Sequence, residues 1–219
     1  MTTLRGLPPG RSGRVWLSRR LDVAERGAGL LETKLRILAA EEQRFALLVE
    51  RTQREWRAAV QDADLWMSRA RVISGQRGVR FATPADRSDV SYGWETTMGV
   101  SYPSGASLRL PQPAADAATP DSSALLLARE AYQRALAVGA EHAAASAALE
   151  SVRTEVSTTR RRLRALQKRW TPRLEGAQRA LAEALEEAER EDGVRMRWGA
   201  RQSPEATEAQ PRRSQGRMP

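Results

Sequence analysis

Residues 17–70 read LSRRLDVAERGAGLLETKLRILAAEEQRFALLVERTQREWRAAVQDADLWMSRA, and a strict 3-4 spacing runs through them. One set of positions holds Leu21, Ala28, Leu35, Glu42, Val49, Trp56, Ala63 and Ala70. The other holds Leu17, Ala24, Leu31, Leu38, Phe45, Thr52, Ala59 and Trp66. Only Glu42 and Thr52 are polar. An apolar repeat of seven keeps one stripe facing a single partner over many turns, which predicts a left-handed supercoil. At about 1.5 Å per residue the helix would be roughly 80 Å long, far beyond an ordinary globular helix of about 11 to 12 residues.

A second stretch repeats the pattern through Ala128, Ala131, Ala135, Val138, His142, Ala145, Leu149, Val152, Val156, Thr159, Leu163, Leu166 and Trp170. After Trp170 the stripe steps by four again, to Leu174, Ala177, Leu181, Ala184 and Ala188. Pro172 sits inside that phase break, where a bend or altered supercoil is expected. The fold class read from this pattern is mainly α: a long antiparallel two-helix left-handed coiled coil with a small β-hairpin insert between the helices. Its seam would be built by Leu21, Leu31, Leu35, Leu38, Phe45, Val49 and Trp56 against Leu149, Val152, Val156, Leu163, Leu166 and Trp170.

Punctuation residues set the boundaries. Gly6, Pro8, Pro9, Gly10 and Gly13 make residues 1–13 an irregular leader, and the first helix is expected over 14–74, ended by Gly75 and Gly78. Gly27 and Gly29 inside it each cost about 1 kcal/mol relative to Ala. Residues 75–120 form an insert and linker: Val90, Tyr92 and Trp94 alternate with polar residues, then Val100 and Tyr102, then Leu108 and Leu110, as short strands do. Asp121 or Ser122 should cap the second helix, expected over 121–192 and stopped by Gly193. Residues 193–219, rich in Pro, Gln, Glu, Ser and Arg, read as a disordered tail.

With 29% charged and only 5% aromatic residues in 219, the chain lacks the bulky side chains that fill a globular core, so most burial must occur along the seam. No apolar run approaches the roughly 20 residues that span a bilayer, and no signal-type segment follows the Arg-rich start. Without cysteine there is no disulfide, thiolate metal site or Cys nucleophile, which fits a cytoplasmic setting. The net charge of +9 suits nucleic acid, anionic lipid or acidic protein partners, or a solvated surface of interleaved Arg and Glu.

Antiparallel pairing within the chain makes electrostatic sense. It sets Glu42 near Val156 with Arg153 and Arg160, and sets Arg11, Arg14, Arg19, Arg20 and Arg26 against Glu183, Glu186, Glu187, Glu189 and Glu191. No catalytic constellation emerges. There is one histidine, His142, predicted on the seam near Trp56, and without an orienting partner it reads as a packing residue. The carboxylates Glu41, Glu42, Glu186 and Glu187 lie on exposed helices rather than in a cleft.

Three segments resemble, in the same order, the D subunit of the V-type (vacuolar/archaeal-type) rotary ATPases. The first is Arg11, Leu17, Arg19, Arg20, Leu21, Ala24, Gly27, Leu30, Leu31 and Lys34. The second is Met98-Gly99-Val100 with Pro103. The third, and most specific, sets the basic run Arg161, Arg162, Leu163, Ala165 and Leu166 before Pro172, Arg173, Leu174 and Glu175, then Glu186, Glu187, Glu189, Arg190 and Glu191. The resemblance covers about residues 11 to 195. Glu32 departs from it, standing where the family usually has a basic residue.

The resemblance implies a non-catalytic central-stalk rotor component, present as one copy per complex. Its partners would be the hexamer of A and B subunits, the F subunit, and the C/d adaptor to the membrane ring. It would lie peripherally on the cytoplasmic side, with no cofactor, metal or direct nucleotide. Contact with the hexamer would fall to Arg11, Arg14, Arg19, Arg20, Arg26, Arg160, Arg161, Arg164, Lys168, Arg169 and Arg173. Coupling would fall to the insert, at Met98, Gly99, Val100 and Pro103. The alternative from another class is a basic coiled-coil arm that binds nucleic acid, with Arg160, Arg161, Arg162, Arg164, Lys168 and Arg169 on phosphates. The interleaved Glu residues argue against it.

Overall fold

Long apolar stripes bury themselves only by pairing, and the computed structural model shows with what. It describes residues 6–83, 86–111 and 122–202. The elements are α1 (Gly10–Ala82), β1 (Asp89–Thr97), β2 (Val100–Arg109), α2 (Ser123–Ala165), a π-turn (Leu166–Trp170) and α3 (Thr171–Gln202). The fold is mainly helical with one two-stranded antiparallel sheet. Two compact units are formed, Met1–Gly29 with Arg164–Pro219, and Leu30–Leu163.

Within Leu30–Leu163 the polar rungs fix direction. Lys34 Nζ meets Glu155 Oε1 at 2.6 Å, Arg153 Nε meets Glu42 Oε1 at 3.2 Å, and Arg134 meets Asp62 at 3.5 Å. Tyr132 donates to Asp64 at 2.9 Å, and the hydroxyls of Ser74 and Ser122 lie 2.7 Å apart. Partner numbers fall along α2 as they rise along α1, so the two helices run antiparallel here. Glu42 takes Arg153, one of the two basic residues expected near it.

Between the rungs the seam is built largely from alanine. Ala124, Ala128, Ala131, Ala135, Ala144, Ala145 and Ala148 of α2 are all buried, at spacings that keep one helical face inward. Ala63 and Ala70 of α1 pack among them with Ala59, Val60 and Trp66. Larger residues gather where the hairpin joins: Leu38, Phe45, Leu149, Val152 and Val156 form one cluster with Val100 and Tyr102 of β2.

The hairpin takes in most of the residues the alternation marked: Val90, Tyr92 and Trp94 lie in β1, while Val100, Tyr102 and Leu108 share the single strand β2, which ends at Arg109, before Leu110. Met98 and Gly99 both have positive φ, 52° and 78°, the signature of a type I′ turn whose twist suits a two-residue hairpin. The register shifts at Gly93 and Trp94 because β2 carries the extra residue, Ser104, between the partners Pro103 and Gly105, and the alternation of β2 changes face there. Tyr102 is buried and meets Phe45 edge-on at 5.0 Å, while Trp94 stays 68% exposed.

In the other unit Leu17, Leu21, Ala24 and Leu174 form the core, flanked by Trp16, Leu166, Ala177 and Leu181. Here the phase break has a specific form. The Thr171 N–H donates to Leu166 O, five residues back, so the π-turn holds one residue more than an α-turn. That extra residue moves the stripe from Leu166 to Thr171 and then to fully buried Leu174. Trp170, expected on the seam, is turned out and is 40% exposed.

Helix ends differ from the sequence expectation. Helix α1 starts at Gly10 rather than near residue 14, with the Ser12 hydroxyl donating to Pro9 O at 2.8 Å. It does not stop at Gly75: that residue kinks it, with φ 64° and ψ 176°, and helix resumes to Ala82. Val79 and Ala82 pack against the cluster of Ala70, Ala124, Leu125 and Ala128, burial that offsets the weak helix formers. Ser122 caps α2, its hydroxyl accepting from Leu125 N–H at 3.3 Å; Asp121 lies outside the described residues, as does the linker over 112–121. Gly193 does not end the last helix, which runs to Gln202. The pairs Glu186–Arg190 and Glu191–Arg195 brace that segment along its own axis. Residues 193–202 are therefore helical, and the rest of the expected tail lies outside the described residues.

Gly75 and Gly176 should respond oppositely to alanine. At Gly75 the left-handed φ makes Gly75→Ala cost about 1 to 3 kcal/mol. Gly176 lies within α3 and nothing stands within 4 Å of its Cβ position, so Gly176→Ala should stabilise by up to about 1 kcal/mol. Urea denaturation of the two variants measures both signs.

Candidate functional site

The described residues gather no set of three or more His, Cys, Asp or Glu suited to a metal ion. What they display is surface charge on helices. Arg14, Arg19, Arg20 and Arg26 are exposed; Arg20 lies over the Trp16 ring at 4.9 Å and Arg26 Nε donates to Asp22 O at 3.2 Å. Arg11 reaches Glu189 at 3.3 Å, with both side chains largely in solvent. At that pair the Arg-rich start meets the expected acidic run. Glu186 and Glu187 pair instead with Arg190, and Glu191 with Arg195, because a partner one turn away on the same helix costs less side-chain ordering.

Arg160, Arg161, Arg164, Lys168, Arg169 and Arg173 are all exposed. Arg161 donates to Thr158 at 3.4 Å, and no salt bridge among the described residues holds any of the six. The outward charges that long helices need for solvation would look the same, so exposure alone does not make them a site.

The insert residues divide. Met98 is 46% exposed at the turn and Gly99 beside it holds positive φ, while Val100 and Pro103 are buried. Exposed hydroxyl pairs link the two strands, Ser91 with Ser107 at 2.7 Å on one face of the hairpin and Thr96 with Ser101 at 2.8 Å on the other. Tyr92 and Trp94 stand exposed on the hairpin.

Of the seam candidates, Leu21, Leu38, Phe45, Leu149, Val152 and Val156 are buried, and Leu31, Leu35, Val49, Leu163 and Leu166 are half-buried. Trp56 is 39% exposed, contrary to expectation. Its indole is too large for the alanine seam and lies over Gly139, where a Cβ would come within 3.0 Å of Nε1. It stacks on His142, ring centroids 5.6 Å apart, and His142 Nδ1 stands 3.1 Å from Thr52 Oγ1. The Thr52 hydroxyl also bonds Leu48 O at 2.9 Å. The lone histidine is thus a packed and hydrogen-bonded rung.

Periodicity did not reveal the half-buried ion pair. Lys34 and Glu155 are each about one-quarter exposed, and Thr159, fully buried, also donates to Glu155 at 3.2 Å. The hydrogen bond from Lys34 holds the Glu155 carboxyl below the usual carboxylate range, with Thr159 and the positive charge of Arg162 acting in the same direction. Partial burial and the bond to Asp64 push the Tyr132 phenol above its ordinary value, so it remains a donor. The opposite charges at positions 34 and 155 were the available signal, and only the pairing register joins them.

No helix among the described residues is long and apolar enough to cross a membrane. A family model for the D subunit of ATP synthase matches residues 15–199. The V-type ATP synthase D subunit of Anaeromyxobacter sp. (strain Fw109-5) is 29% identical over 195 residues, covering 87% of this chain and 91% of its own length.

The Lys34–Glu155 pair makes stability depend on acid. Because the folded pKa of Glu155 is depressed, its contribution is present above the unfolded carboxylate pKa and is lost as pH falls through the lower folded value. Lys34→Met should therefore destabilise by about 1 kcal/mol near pH 7 and by less at an acid pH, as Glu155 takes up its proton. Denaturant midpoints at the two pH values check this.

Proposed function

The chain belongs to the family of ATP synthase D subunits, and from that premise we propose that it is the non-catalytic central-stalk rotor component of a V-type rotary ATPase or ATP synthase. It transmits torque between the catalytic A/B hexamer and the membrane ring that moves ions. Its partners are the A and B subunits, the F subunit, and the C/d adaptor, and it sits peripherally on the cytoplasmic side as one copy per complex. The helices form an antiparallel left-handed coiled coil that turns as a shaft.

The observation that carries this reading is the ladder of rungs joining α1 to α2 from Lys34–Glu155 to Ser74–Ser122. A shaft must pass twist from turn to turn without slipping. Interlocked alanines set the lateral spacing, and hydrogen-bonded rungs at intervals oppose axial sliding of one helix against the other. An exposed mixture of Arg and Glu gives different faces to the like subunits of a surrounding ring, which favours one catalytic interface closing while another opens. The hairpin, fastened through Val100 and Tyr102 to Phe45 and Val152, offers a second contact region for coupling.

Mixed with A, B and F subunits, the full chain should co-purify in a stable complex whose ATPase activity responds to its presence. Failure to co-purify would sink the rotor assignment. Removing residues 79–113 should leave the far-ultraviolet helical signal largely intact while weakening coupling to the F subunit or the membrane ring, read as ATP hydrolysis no longer tied to ion movement. Full coupling after that deletion would speak against the insert's role.

A further inference from the structure

The π-turn does something that neither the seam nor the polar rungs require. An α-turn in its place would keep Trp170 in the apolar stripe, since Leu166 and Trp170 are four residues apart. The i-to-i−5 bond from Thr171 N–H to Leu166 O instead swings Trp170 outward, and Leu174 fills the core behind it, fully buried. A large indole at 40% exposure is thus displayed where a shorter turn would hide it.

Its surroundings are cationic. Lys168 and Arg169 lie within the turn, and Arg173 is one turn on from Trp170, where side chains meet. Each is exposed, and among the described residues none is in a salt bridge. Elsewhere an arginine covers the aromatic ring beside it, as Arg20 covers Trp16 and Arg69 covers Trp66. Among the described residues no such cation covers Trp170.

We propose that Trp170, with Arg169 and Arg173, is an anchor for an acidic protein surface that carries an apolar notch sized for an indole. This rests on the rotor reading and names the chemistry of its contact: the acidic face belongs to the A/B hexamer. Tryptophan and arginine are the side chains that most often dominate binding energy when a partner closes over them. The exposed guanidinium groups supply orientation and speed of encounter. A membrane is the poorer match, because an interfacial helix carries a broad apolar face and the next apolar residue here, Leu174, is buried. The π-turn is the device that makes the anchor available, as π-bulges commonly do at functional positions.

The test uses the full chain immobilised against the purified A/B hexamer, with dissociation constants measured at about 50 and about 300 mM salt, between which the Debye length falls roughly 2.5-fold. Trp170→Ala should weaken binding about tenfold or more, and Trp170→Phe by no more than about threefold. The paired reversal Arg169→Glu with Arg173→Glu should weaken it about tenfold at low salt and flatten its salt dependence. Circular dichroism confirms that each variant remains helical. Wild-type protein that fails to bind the hexamer overturns the rotor reading itself. Wild-type binding that Trp170→Ala leaves within about twofold overturns the anchor alone. Variant-sensitive binding to phosphatidylserine vesicles or single-stranded RNA, in place of the hexamer, overturns the choice of an acidic protein.

Discussion

The phase of a narrow apolar stripe governs this structure. A helix that lacks a globular core can bury only what faces its partner, and a slip of one residue carries every inward side chain about 100° around the axis. Alanine makes the constraint tighter. Burying it removes little area from water, so each turn contributes modestly, and stability accumulates over many turns that must all stay in register. The π-turn at Leu166–Trp170 is the local solution where the sequence carries one residue too many. It keeps Leu17 and Leu21 in contact with Leu174 on the far side of the break, and it expels Trp170.

Polar rungs serve the same constraint. An alanine surface is smooth and tolerates sliding, whereas Lys34 with Glu155 and Tyr132 with Asp64 match at one register only. Half-burial raises the cost of separating such a pair, because a charge left in the seam loses both partner and water. His142 plays a neutral version of the part, held between Thr52 and the Trp56 ring. The hairpin is then tied to the thickest section of the seam, where Phe45 and Tyr102 meet edge to face. On the proposed torque-carrying role, these fastenings are where load would pass between helices and hairpin.

Much of the fold was legible because its signals are local. The seven-residue spacing from Leu17 to Ala70, the alternation around Val90 and Tyr102, the Met98-Gly99 turn and the Ser122 cap each depend on residues within a few positions of one another. Helix ends were less legible. Gly75 and Gly193 are stop signals by propensity, yet α1 continues because Val79 and Ala82 find apolar neighbours, and α3 continues on its own Glu–Arg pairs. Of the surface charges, the sequence located the basic run but not the partners of the acidic one. Glu186, Glu187 and Glu191 find arginines nearer by than the leader's.

By itself, then, the sequence determined two long amphipathic helical stretches, a short hairpin between them and a basic, mostly solvated surface, because periodicity and turn chemistry act over short range. Tertiary structure decided which rungs meet, that Trp56 rests over Gly139, and that Trp170 points to solvent. Those outcomes depend on the distance between facing backbones and on how one surplus residue is absorbed. Neither quantity is a property of any single turn.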